Sequence, residues 1–244
     1  PPEVLRATAS VVDGQGGIWV GDTFGRLWFG EVRKAPSTWA LRAVFTPVGR
    51  IDYMDLSPDG TELVVLTRDG AVAAYSIATD AWRVLHRLQT DAGGRGGVLA
   101  LGPDDFLAGG PFANTVTRIR DGIAEQEVVG AEAGVTSLRE VPGIGIVLGS
   151  GLGELFVRRG ERWEPLPASG SRFWVLGMAP LDAGFLFGSP YGSLGQYVTE
   201  TEACPLTTPV SFFIRFIVPL EGRVVLLGES LAPPAPGGAV LTRR

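Results

Sequence analysis

Residues 51–88 read Ile51-Asp52-Tyr53-Met54-Asp55-Leu56-Ser57-Pro58-Asp59-Gly60-Thr61-Glu62-Leu63-Val64-Val65-Leu66-Thr67-Arg68-Asp69-Gly70-Ala71-Val72-Ala73-Ala74-Tyr75-Ser76-Ile77-Ala78-Thr79-Asp80-Ala81-Trp82-Arg83-Val84-Leu85-His86-Arg87-Leu88. Short apolar runs alternate here with turns. Ser57–Gly60 supplies a proline and a glycine where the chain must reverse, and Arg68-Asp69-Gly70 is a tight hairpin signal. A run that opens on Trp82 closes the stretch. Helical periodicity is almost absent, and short strands between Gly/Pro turns predict an all-β array.

The same order recurs along the chain. Turn prolines stand at Pro58, Pro103, Pro142, Pro180 and Pro219, spaced by 45, 39, 38 and 39, and Val12 takes the equivalent place 46 residues before Pro58. Strand-like runs precede these turns at 4–12, 51–57, 97–102, 135–141, 173–179 and 211–218. Second runs follow them: Ile18-Trp19-Val20, Leu63-Val64-Val65-Leu66, Phe106-Leu107-Ala108, Ile144-Gly145-Ile146-Val147-Leu148, Phe185-Leu186-Phe187 and Val224-Val225-Leu226-Leu227. Glycine loops then lead into a third strand, as in Gly21-Asp22-Thr23-Phe24-Gly25, Gly149-Ser150-Gly151-Leu152-Gly153 and Gly188-Ser189-Pro190-Tyr191-Gly192. Trp39, Trp82 and Trp163 open the fourth.

Four strands per period of about 40 residues is the blade of a β-propeller. The expectation is a single six-bladed domain of four-stranded antiparallel blades over 3–46, 47–90, 91–130, 131–168, 169–208 and 209–244, with less than about 5% helix. A blade is covered on both faces by its neighbours, so its inner strands should be apolar at both parities. Phe173–Met178 and Phe212–Val218 fit that rule. The last blade is expected to be incomplete. After a Pro-stiffened loop over 231–238, its third strand, 239–244, ends the chain. An open strand edge recruits another strand, so a fourth is expected from residues beyond Arg244, residues before Pro1 or a second molecule.

Ser57-Pro58-Asp59-Gly60-Thr61-Glu62-Leu63 resembles the Ser-Pro-Asp-Gly-x-x-Leu turn of WD-repeat and TolB-type propellers. The likeness is to the superfamily, because the Gly-His and Trp-Asp signatures of true WD repeats are missing. It implies an interaction scaffold more often than an enzyme.

Composition narrows the chemistry. The chain has 244 residues, a net charge of −5, 45% hydrophobic residues and 19% charged ones. That excludes disorder and argues against a nucleic-acid partner. No apolar run reaches the roughly 18 residues of a membrane span, so a soluble protein is expected, with the cytoplasm the favoured compartment. The opening Pro1-Pro2 suits a processed or excised piece of something longer. Cys204, His86, Lys34 and Asn114 are each the only residue of their type. One Cys excludes a disulfide framework and a Cys-based zinc site, and one His excludes multi-His centres. No metal and no cofactor are expected. Asn114 alone cannot build the Asn-rich cage of calcium-dependent propeller hydrolases. Ser189 lacks the strand-turn-helix setting of a nucleophile elbow.

One loop face gathers the candidate binding residues. It draws Phe24, Phe112 and Tyr191 from the glycine loops, Arg50, Arg95 and Arg172 from eight residues before Pro58, Pro103 and Pro180, and Asp52 and Trp174 from two residues further on. Arginines among exposed aromatics make up interaction hot spots. Asp52, Asp55, Arg139, Glu140 and Arg215 are polar on inner strands, where charges need partners. They read first as ties between blades, and second as a ligand-clamping set. His86 reads as an exposed surface histidine, and Cys204 as a packed thiol. A non-catalytic module that binds a protein or peptide is therefore expected. The alternatives are a propeller-type hydrolase or lyase and a carbohydrate-binding propeller.

Overall fold

Ser57 closes the first turn of the second repeat on itself. Its N–H donates to the Glu62 carbonyl at 2.8 Å, and its hydroxyl oxygen accepts the Glu62 N–H at 2.9 Å. The hydroxyl donates to Asp59 Oδ1 at 2.6 Å, and the same oxygen accepts from Thr61 N and Oγ1 at 3.1 and 2.9 Å. The Ser57 hydroxyl first, and then the Thr61 N–H, hold the Asp59 carboxyl below the usual carboxylate range. Gly60 turns the chain at φ +73°, a conformation that favours glycine.

In the computed structural model, the described residues are 7–13, 15–31, 39–44, 49–89, 96–110, 112–168, 173–181, 184–189, 194–199, 202–206, 212–220, 223–230 and 236–242. Every regular element among them is a strand. The chain divides into two compact units, Pro1–Glu127 and Val128–Arg244.

The first unit holds three antiparallel sheets of four strands each. Its first sheet is β1 (Ala7–Val12), β2 (Gly17–Asp22), β3 (Arg26–Glu31) and β4 (Trp39–Val44). The second is β5 (Ile51–Leu56), β6 (Glu62–Thr67), β7 (Ala71–Ser76) and β8 (Ala81–Arg87). The third is β9 (Gly97–Gly102), β10 (Asp105–Gly109), β11 (Thr115–Arg120) and β12 (Ile123–Val128). The second sheet is buried on both faces. Leu63, Val65, Ala73 and Tyr75 pack with Trp19 and Leu27 of the first sheet, whereas Val64, Leu66, Val72 and Ala74 pack with Val98, Phe106 and Ile119 of the third. Both parities of β6 and β7 are therefore core, as covered sheets require.

The second unit begins with β13 (Val135–Val141), β14 (Gly145–Ser150), β15 (Leu155–Arg159) and β16 (Arg162–Pro165), followed by β17 (Gly177–Pro180), β18 (Phe185–Gly188), β19 (Leu194–Thr199) and β20 (Glu202–Leu206). Its last sheet is β21 (Phe212–Leu220), β22 (Arg223–Ser230) and β23 (Pro236–Thr242). Phe185 and Phe187 face the fourth sheet, while Leu186 faces Ile214 and Leu226 of the last. Tyr197 stacks on Phe185 with centroids 5.0 Å apart and an interplanar angle of 5°.

Five sheets have four strands each, and the last stops at three among the described residues. Two expectations are corrected. The first strand of the fifth sheet begins at Gly177 rather than Phe173. The Val175 N–H donates back to the Ser150 carbonyl at 3.2 Å while Leu176 donates to Gly188 at 2.9 Å, so this segment straddles two sheets. The last strand begins at Pro236, inside the expected loop, because Pro236, Gly237 and Gly238 pair with Glu229, Gly228 and Leu227.

Neighbouring sheets within each unit are keyed by a small residue against a large one. A Cβ on Gly21 would lie 2.6 Å from Ile51, one on Gly149 2.6 Å from Val175, and one on Gly188 2.6 Å from Ile214. In each case the glycine lies on the second strand, and the branched residue lies on the next sheet or, for Val175, on the segment that leads into it. The junction between the second and third sheets reverses the order: Leu66 is on the second strand, and Gly96 meets it.

Candidate functional site

Bulges set the polar positions of the first strands. β1, β5, β13 and β21 each skip one residue in their pairing, at Thr8, Asp52, Thr136 and Arg215. A bulged residue leaves the alternation of the ladder and can aim at a neighbour. Thr8 donates to the Gly21 carbonyl at 3.3 Å and also to Ile51 of the next sheet. Thr136 does the same to Gly149 at 3.1 Å and Val175 at 2.7 Å. Asp55, near the other end of β5, accepts the Ala100 N–H of the third sheet at 3.0 Å. The first strands of unit one thus run in one direction, and their β2–β3-type turns share one side.

Those turns follow one chemical plan. The last residue of the second strand is Asp22, Thr67 or Ser150, and its side-chain oxygen accepts backbone N–H groups of the turn. Asp22 Oδ1 takes those of Phe24 at 2.8 Å and Arg26 at 3.0 Å. Thr67 Oγ1 takes that of Ala71 at 3.0 Å, and Ser150 Oγ those of Leu152 at 3.2 Å and Glu154 at 3.1 Å. Gly25, Gly70 and Gly153 supply the positive φ that the turn demands. These donors are consumed internally, so the glycine loops cannot cradle an anion or a sugar through them.

On this frame the first sheet presents an ordered arginine between aromatics. The Asp22 carboxylate is fully buried, and its Oδ2 accepts Arg26 Nε at 2.6 Å and Trp28 Nε1 at 3.1 Å. The Arg26 guanidinium lies 4.9 Å from the Phe24 ring centroid and 5.2 Å from that of Trp28. Phe24 itself is 50% exposed. Thr23 Oγ1, in the same turn, is buried without a hydrogen-bond partner among the described residues.

The second sheet adds a charged corner. The buried Asp52 carboxylate accepts from Arg50 Nε, and Arg68 Nε lies 3.5 Å from its other oxygen. The Arg68 N–H donates to the Arg50 carbonyl at 2.9 Å, which fixes the two backbones together. Asp69 pairs through Oδ2 with Arg87 Nη1 at 2.8 Å, while its Oδ1 stays 3.4 Å from where a Cβ on Gly49 would be. Burial pushes its carboxyl up, but the Thr67 hydroxyl and Arg87 outweigh it and leave the group below its ordinary value. A Cβ on Gly25 would stand 2.6 Å from the Gly49 carbonyl. Phe24 and Arg50 are therefore each one residue from the same contact.

Of the sequence-derived candidates, the structure joins Phe24, Arg50 and Asp52 on this side of the first unit. Phe112 stands on the β10–β11 turn one sheet further on and is 70% exposed. Trp174 belongs to the second unit, where it packs on the β14–β15 turn, its Cδ1 3.4 Å from where a Cβ on Gly151 would be. Arg95, Arg172 and Tyr191 lie outside the described residues. Sequence reasoning missed Arg26, Trp28 and Arg68. For Arg26 and Trp28 the signal was an arginine or aromatic within six residues of a buried strand-end acid, whereas Arg68 meets its acid, Asp52, only across the sheet.

Two polar expectations change. Glu140 is exposed and Arg139 only half-buried, so neither is a dry inner charge. His86 is half-buried against the second sheet, pairing with Val72 of β7, rather than a fully exposed histidine. Among the described residues no cluster of three or more His, Cys, Asp or Glu is arranged to hold a metal ion, and no helix is long and apolar enough to cross a membrane.

No protein-family model and no curated protein matches the chain. Solved structures do. The WD40 β-propeller domain of Doa1 superposes with a TM-score of 0.73 at 12% identity, over 99% of this chain and 84% of that one. The computationally designed Ika8 protein gives a TM-score of 0.63 at 13% identity, over 98% of this chain and 71% of that one. Identities this low carry the architecture and no site. The chain is an all-β protein with the WD40-like β-propeller fold.

Proposed function

We propose that this chain is a binding module, one propeller domain over 1–244, that recognises a protein or peptide partner through the turn side of its first unit. One observation carries the reading. Phe24 is half exposed yet held by a turn whose arginine is locked by a buried carboxylate, so a large apolar contact is presented at little entropic cost. Arg50, across the Gly25–Gly49 contact, and Arg68, which shares Asp52 with it, supply donors that suit a polar rim. The buried acids favour binding over acid–base work, since Asp22 is consumed by four donors, Asp55 by a neighbouring sheet and Asp52 by two arginines.

The test is affinity capture from source cells with the wild-type chain and with Phe24→Ser and Arg50→Ala, followed by titration of the purified partner. The reading expects a partner lost from both variants while their melting temperatures stay at the wild-type value. Unchanged capture by both variants would overturn it.

A further inference from the structure

We infer that the Arg50–Asp52–Arg68 corner, with Phe24 beside it, recognises an acidic segment of a partner chain, a carboxylate seated on Arg68 and an adjoining apolar side chain on Phe24. The inference rests on the binding-surface reading and names the chemistry of the occupant. Two guanidiniums converge on the single carboxylate of Asp52, which leaves one positive charge in excess on a chain whose net charge is −5. Arg68 is the loosely held member: its Nε stands 3.5 Å from the Asp52 carboxylate, and its side chain is 51% exposed. Asp105 also serves two arginines, but there Arg118 and Arg120 both lie within 2.8–3.1 Å and are satisfied. Arg83 is similarly engaged by Glu62 and Asp104. Arg68 is the slack one of these, and its N–H bond to the Arg50 carbonyl places it beside the Gly25–Gly49 contact that Phe24 flanks.

The geometry favours a segment over a small anion. An isolated anion would use Arg68 and leave Phe24 in water. A chain that bears a carboxylate beside an apolar residue covers both, because Phe24 and Arg50 flank the Gly25–Gly49 contact. The turn N–H groups are already taken, so recognition falls to side chains. Arginine is suited to that task, since its planar fork matches a carboxylate in two bonds.

A random peptide display library, selected on the wild-type chain and counter-selected on the Phe24→Ser/Arg68→Glu double variant, tests this. The expected result is enrichment of Asp or Glu next to aliphatic or aromatic residues. The best synthetic peptide should then bind about tenfold more weakly to Arg68→Ala and to Phe24→Ser, with Arg68→Lys in between and with affinity falling as salt rises. Enriched peptides without acidic residues would overturn the acidic inference and leave the binding face standing. No enrichment over the double variant would overturn both. Binding of a polyanionic oligonucleotide as tight as that of the best peptide would also overturn the inference, because charge alone would then suffice.

Discussion

Leu66 reaches into the space that the missing side chain of Gly96 leaves open, its Cδ2 2.7 Å from where a Cβ there would stand. At the other resolved junctions the glycine and the large residue exchange places, as with Gly21 and Ile51. Each junction therefore has one knob and one vacancy, and which sheet supplies the knob is arbitrary so long as the partner complies.

Filling a vacancy should destabilise the fold by overpacking. Gly149→Ala would place a Cβ 2.6 Å from the Val175 Cβ, and no rotamer can move that atom away. The expected cost is about 1–3 kcal/mol. Gly21→Ala should behave similarly against Ile51, and the Gly21→Ala/Ile51→Ala double variant should be more stable than the sum of the singles. Denaturant midpoints of the four proteins check this. Strict additivity would mean that the two residues are not keyed.

Tyr197 ties the fourth and fifth sheets through its hydroxyl, which donates to the Pro167 carbonyl. Burial pushes its phenol up to about 12. A folded pKa raised above the unfolded value of about 10 means that the neutral form belongs to the native state. The stabilisation is whole below about pH 10 and fades as pH climbs towards 12. Tyr197→Phe should cost about 1–3 kcal/mol at neutral pH, from the carbonyl left without its donor. The gap to wild type should close through the alkaline range, as followed by thermal melts and tyrosinate absorbance. A gap independent of pH would argue against the linkage.

Asp59 acts in the opposite direction. Its carboxyl is lowered by the Ser57 hydroxyl and the Thr61 N–H, so the charged form belongs to the native turn. That support exists above the ordinary carboxylate pKa of about 4 and is lost as pH falls through the lower folded value. Asp59→Ala should therefore lower the melting temperature at neutral pH and make no difference in strong acid. Binding at the Phe24 side should be untouched, since the turn lies at the other end of the second sheet.

The repeat was legible because strand-and-turn order needs only local chemistry. Pro58-Asp59-Gly60 specifies its turn within six residues, and two-parity apolar runs such as Leu63–Leu66 announce a sheet covered twice. What stayed hidden was relational. Asp22, Thr67 and Ser150 are different residues with one function, visible only once the ladder is aligned through the bulges at Thr8, Asp52 and Thr136. The glycines of Gly21, Gly149 and Gly188 read as turn residues, yet they are vacancies for a side chain one repeat away. Arg50 and Asp52 were found from their spacing, whereas Arg26 and Arg68 follow a different strand and share no sequence register with them.

The last sheet carries the remaining prediction. β23 pairs with β22 along its length, from Arg223–Thr242 to Glu229–Pro236, and no strand lies beyond it among the described residues. In the other sheets the equivalent third strand is interior, as β7 is between β6 and β8. An edge leaves every second backbone N–H without a ladder partner, and such edges recruit strands. Pro236 removes one donor, and Gly237 and Gly238 weaken the strand entropically, which gives partial protection at one end only. The Ala239–Leu241 stretch remains competent to pair. Hydrogen exchange on the monomer should therefore show alternate amides of 237–242 exchanging far faster than those of 71–76. Addition of a strand-donating peptide, or association of two copies, should slow them. Protection equal to that of β7 in a monomeric sample would mean that a segment of this chain already covers the edge.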